Sequence, residues 1–168
     1  MGLVRVAVAT TSVLVATIIF LGGGVLGTFH HLYFSGTPVG VIALGSVFSA
    51  LEVVPLLVVG FEAYSRAKHE GLHDWQKAYR WPFMFFSSVL VWNLIGAGLF
   101  GFLINPPLAL YYMQGLNTTA THAHGALFGV YGMLGLGLIL FCMRGLTDPA
   151  RWNNKLLAIS FWCLNVGL

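Results

Sequence analysis

Four apolar stretches, each long enough to cross a bilayer and separated by short turns or charged loops, constrain this chain more than any other feature. They cover about residues 4–34, 39–65, 81–103 and 118–143, against the roughly twenty apolar residues that a spanning helix needs. A fifth begins near Leu156 and reaches Leu168, about thirteen residues on, which is too short to cross. The expected fold class is therefore all-α, a polytopic transmembrane helix bundle of four full spans plus a truncated fifth. Residues 1–168 read as a fragment of a longer membrane domain. Composition excludes the soluble alternative: with 58% hydrophobic residues, 8% charged and a mean hydropathy of +0.84, a core of this size could not absorb the apolar surface. The opening stretch to Phe20 carries only Arg5 and runs into more apolar sequence without a cleavage site, so it reads as a span and not as a secretory signal.

The breaks between spans carry their own information. Ser35-Gly36-Thr37-Pro38 stops the first, and Asn105-Pro106-Pro107 stops the third, after which Leu108 to Gln114 is long enough only for a short surface helix. Every Lys and Arg falls at Arg5, in the polar loop from Arg66 to Arg80, or in the loop from Arg144 to Lys155, while the alternate connections carry none. The positive-inside tendency then places the charged ends in the cytoplasm. The net charge of +3 implies no nucleic-acid partner, because the basic residues sit beside apolar spans. Cys142 and Cys163 stand in apolar context without C-x-x-C spacing and read as packing residues.

By this threading His30, His31, His122 and His124 all fall toward the uncharged, outer half. Intramembrane ionisable groups are rare and usually functional, so four histidines converging with Glu52 outweigh the reading of each as a satisfied packing residue. His122 and His124 are separated by one residue, which on an α-helix sets their side chains about 200° apart. One helix can thus hold two separate metal centres. His30 and His31, about 100° apart on a helix, can reach one metal if the local backbone cooperates, but they leave it short of donors. Glu52 could supply a carboxylate, which suits non-haem iron better than copper. Alternatively it serves as a proton-relay group beside Ser46, Ser49 and the carbonyl freed by Pro55. The glycines before His30 and after His124 permit close approach of a macrocycle or, equally, of another helix. Tyr33, Tyr111, Tyr112, Trp81 and Trp92 fit interface anchors, and His69 and His73 belong to the charged loop as solvated groups.

The segments Gly27–Pro38 (GTFHHLYFSGTP), Ser49–Pro55 (SALEVVP), Trp92–Pro107 (WNLIGAGLFGFLINPP) and Asn117–His124 (NTTATHAH) resemble the catalytic subunit of bacterial nitric oxide reductases, nearest to the single-chain quinol-dependent form. The wider kinship is with haem-copper oxidases. The resemblance implies that His30 and His31 are two of three histidine ligands of a non-haem iron. It implies His122 as proximal ligand of the high-spin haem b3, and His124 as an axial ligand of the low-spin haem b. Glu52 matches a glutamate near the binuclear site associated with proton delivery, one that does not bind the iron. The third iron histidine, the ligating glutamate and the second low-spin haem histidine would have to lie on helices upstream, so the isolated chain is not expected to assemble the site.

The implied reaction joins two NO molecules, two electrons and two protons into N2O and water. Quinol is the expected electron donor, with cytochrome c as the alternative, and the expected location is the bacterial inner membrane, among lipid and the missing helices of the full-length protein. Two rivals are a haem-copper oxygen reductase, distinguished by copper in place of non-haem iron, and a non-catalytic di-haem membrane subunit, distinguished by failure to bind carbon monoxide.

Overall fold

The structure, a computed structural model, describes residues 2–71 and 74–168. His73 lies outside the described residues. The chain folds as helices joined by short turns, and no strand occurs among the described residues. Four helical runs are long and apolar enough to cross a membrane: Val13–Leu32, Val39–Glu62, Arg80–Ile104 and Asn117–Leu146. Between 17% and 28% of each is buried within the chain, so most of their apolar surface is left for lipid or for further helices.

The first run is α1 (Gly2–Gly27), which tightens into a 3-10 turn over Thr28–Leu32. The chain reverses through Phe34 and Gly36, both with positive φ (63° and 80°), where glycine at the second position relieves the left-handed backbone. The second run is α2 (Val39–Leu51) and α3 (Val53–Glu70), broken at Glu52. The cause of the break is local: Pro55 has no N–H to reach the Leu51 carbonyl, and the Glu52 N–H turns back to the Ser49 carbonyl at 3.2 Å. α3 continues beyond the apolar stretch, so exposed His69 stands on its last turn and not in a loop.

α4 (Asp74–Ala78) leads into the third run, α5 (Arg80–Trp92), a π-helical segment over Asn93–Leu99, and α6 (Phe100–Ile104). The short helix α7 (Pro107–Met113) follows the Asn-Pro-Pro stop. The fourth run is α8 (Asn117–His124), a second π-helical segment over Gly125–Gly132, and α9 (Met133–Leu146). α10 (Asn154–Gly167) closes the described chain, capped by the Asn153 side chain.

The two π segments meet at Gly96 and Gly125, where a Cβ on either residue would stand 2.9 Å from the other's backbone. Gly129 and Gly137 continue the contact, against the Trp92 ring and the Phe86 ring. The glycines after His124 therefore serve helix packing at these positions. The core lies between α5, α9 and α10, around Trp81, Phe85, Met133 and Phe161, with Phe85 and Phe161 edge to face at 5.3 Å. Two indole N–H groups of α5 tie it to α10: Trp81 donates to Asn154 Oδ1 at 2.7 Å and Trp92 to Asn165 Oδ1 at 2.9 Å. Each pair is separated by 73 residues, so the two helices run parallel with eleven-residue repeats, about three turns, in register.

Candidate metal centre

The histidine pair is seated by a glycine on the facing helix. Gly45 of α2 lies so close to the 3-10 turn that a Cβ there would stand 2.5 Å from the His30 backbone nitrogen and 2.7 Å from the Phe29 Cβ. Within that turn, His30 Nδ1–H donates to the Gly27 carbonyl. A 3-10 turn spaces adjacent side chains about 120° apart, wider than an α-helix would, yet the two rings lie side by side, 4.1 Å between centroids and tilted by 34°. His30 is half-buried and His31 exposed.

Glu52, at the break in the second run, turns toward α1. Its Cγ and Oε1 occupy the space that Cβ atoms would take at Gly23 and Gly27, 3.3 and 3.1 Å away. The glycines before the histidine pair thus make room for a carboxylate. Ser49, one turn earlier, accepts a 2.6 Å hydrogen bond from Asn105 Nδ2, linking the second and third runs. Asn105 is 3% exposed; as part of Asn105-Pro106-Pro107 it reads in sequence only as a helix stop, and nothing local signals its burial. Ser46 is also buried, and its hydroxyl has no partner among the described residues.

His122 projects from α8 toward the third run, where its Nδ1–H donates to the Gly96 carbonyl at 2.7 Å. The acceptor is a carbonyl, so in the neutral ring Nδ1 carries the proton and Nε2 presents its lone pair, the arrangement of a held metal ligand. Gly101 keeps that edge clear, since a Cβ there would stand 3.3 Å from Cε1 and 4.0 Å from Nε2. His124 goes the other way: it is exposed, and its Nδ1–H bonds back to the Ala120 carbonyl of its own helix at 2.7 Å.

One cavity of about 540 Å3 brings His30, His31, Glu52, Ser49, Asn105 and His122 to a common wall, together with Gln114, Thr119 and Tyr131. His124 does not line it. Imidazole together with carboxylate is a donor chemistry that suits iron better than copper. Among the described residues no three of His, Cys, Asp and Glu come close enough to hold a metal ion, so the donors of this chain fit part of such a centre and do not close it.

The sequence profile described as "Cytochrome C and Quinol oxidase polypeptide I" matches residues 3–168. The chain belongs to that family. A nitric oxide reductase subunit of Stutzerimonas stutzeri is 30% identical over 152 residues, covering 86% of this chain. The chain spans 31% of that relative's length. As a member of the polypeptide I family, with four runs long and apolar enough to cross a bilayer, this is a multi-pass membrane protein. The family implies haem and iron as cofactors, toward which the free Nε2 of His122 and the side-by-side His30 and His31 rings are the donors available here.

Proposed function

We propose that this chain is part of a membrane nitric oxide reductase of the bacterial inner membrane, taking electrons from quinol and converting two NO to N2O and water. The observation that carries the reading is the division of donors about α8. His122 faces His30, His31 and Glu52 across one cavity, while His124, two residues on, stands outside it. Similarity to a relative named as a nitric oxide reductase subunit supports the choice of substrate.

In this reading His122 Nε2 would hold the high-spin haem, and His30 and His31 would supply two ligands of the non-haem iron. When bound, the two irons supply electrons and a shared site for two NO molecules. The chain's own groups position and protonate. The Gly96 carbonyl fixes the His122 tautomer and ring plane, and the Gly27 carbonyl does the same for His30. Glu52 holds a proton at the cavity wall, where an ionised carboxylate would be costly without a compensating partner. His124, two residues on from His122 and outside the cavity, would hold a low-spin haem whose chemistry is to pass electrons to the catalytic one. The remaining ligands come from other helices of the longer protein.

The test uses the full-length protein. Replacing His122 with Ala should remove the high-spin haem spectrum and carbon monoxide binding while leaving the low-spin haem. Replacing His124 should do the reverse, and the unaltered protein should contain non-haem iron and turn NO into N2O anaerobically. Loss of one and the same haem from both variants would refute the assignment; copper in place of non-haem iron would favour an oxygen reductase.

A further inference from the structure

At the basic end of the bundle, away from the donor-lined cavity, a groove of about 350 Å3 opens between the end of α9 and the start of α10. Its floor is apolar, with Leu140, Met143 and Leu157, and its mouth carries Arg151 and Trp152. Trp152 is fixed in place: its indole N–H donates to the Thr147 hydroxyl at 2.7 Å, and the Arg144 guanidinium lies 5.8 Å over its ring. Arg144 is itself committed, through Nε to the Ala78 carbonyl at 2.8 Å and by stacking over Tyr79.

The opening amides of α10 are not free for an anion, since Asn153 Oδ1 accepts from the N–H groups of Lys155 and Leu156. Asp148 turns Oδ1 to the Ala150 N–H, within its own loop. One cation, Arg151, lines the groove, and a second, Lys155, lies four residues on in the first turn of α10, next to the lining residues Asn153 and Leu156. Both are exposed, and neither side chain makes a hydrogen bond or ion pair among the described residues. A groove that joins apolar Leu140, Met143, Leu156 and Leu157 to the Arg151 cation is complementary to both halves of a phospholipid. A docking helix of another protein would instead have to bury the unpaired charge of Arg151.

We propose that this groove binds an anionic glycerophospholipid, one acyl chain lying along Leu140, Met143 and Leu157 and the phosphate held by Arg151 and Lys155. The experiment titrates delipidated full-length protein in detergent with phosphatidylglycerol or phosphatidylcholine of identical chains and counts bound lipid by native mass spectrometry. The protein should retain phosphatidylglycerol preferentially. Arg151→Gln and Lys155→Gln should each weaken that retention about fivefold, the worth of one cation near a membrane surface. Met143→Trp, or Leu140→Phe should the first variant fail to fold, fills the slot without altering charge and should also lower retention. Equal retention of the two lipids would overturn the proposal. So would a response to the charge variants with none to either groove-filling variant, which would mean attraction to surface charge alone.

Discussion

The donor-lined cavity and the aromatic seam between α5, α9 and α10 are built from opposite materials. The seam is held by volume: Met133 is fully buried, Phe85 and Phe161 meet edge to face, and two indole N–H groups reach across to asparagines. The cavity is shaped by missing volume. Gly45 admits the histidine turn, Gly23 and Gly27 admit Glu52, Gly96 and Gly125 let the third and fourth runs touch, and Gly101 leaves the edge of His122 open. Interiors are close-packed, so a gap must be maintained by backbone contacts that larger side chains would destroy. In the seam a lost group should cost stability, and around the cavity an added group should cost chemistry.

The sharpest way to break that contrast is one methyl group. Gly45→Ala places a carbon 2.5 Å from a backbone nitrogen, where ordinary carbon contacts begin near 3.5 Å, so α2 and the 3-10 turn must part by roughly 1 Å. Metal–ligand distances tolerate only about 0.2 Å. The expected outcome in the full-length protein is nearly complete loss of non-haem iron and of NO turnover, with both haems still bound, read by metal analysis and optical spectra. Gly40→Ala on the same helix meets nothing within 4 Å and should leave iron and turnover unchanged. Equal iron content in the two variants would show that the glycine contact does not seat the histidines.

These contacts also mark where the sequence stops being legible. The spans can be read because apolar length and the placement of eight basic residues are local properties. The break at Glu52 can be read from Pro55, and the opposite faces of His122 and His124 follow from helix geometry. Gly45, Gly96 and Gly101 cannot be picked out among 21 glycines, because what each permits depends on the backbone or ring opposite. The same holds for the π segments, whose extra residue is accommodated where the two runs meet. Asn105 is hidden for another reason: its partner Ser49 lies 56 residues away.

Glu52 sharpens the contrast from inside the cavity, because Glu52→Gln neither adds nor removes volume against Gly23 and Gly27. It keeps the shape and one acceptor and removes proton exchange. The expected outcome is retention of both haems and most of the iron, normal electron entry into the haems, and loss of most NO turnover. Turnover near the normal rate would make Glu52 a packing residue and move the proton route elsewhere.

The smallest effects belong to the seam, and their order is the prediction. Trp81→Phe and Trp92→Phe each delete an indole donor to an asparagine of α10, with the same chain separation and the same chemistry. They differ in what replaces the lost bond. Asn154 is exposed at the start of α10, so water takes over its Oδ1 and the net loss should be near the 0.6 kcal/mol or so typical of a hydrogen bond between membrane helices. Asn165 is half-buried three turns farther along, where its Nδ2 is already committed to the Phe161 carbonyl at 2.8 Å and the ring of Trp92 fills the space beside Gly129. Removing the indole there strands an acceptor and opens a gap against a residue with no side chain, so the cost should rise to about 2 kcal/mol. Thermal unfolding of the detergent-solubilised full-length variants should therefore give a midpoint that falls more for Trp92→Phe than for Trp81→Phe, with iron content unchanged in both. A larger loss from Trp81→Phe would mean that depth in the bundle does not govern these bonds, and that the seam is anchored at its basic end.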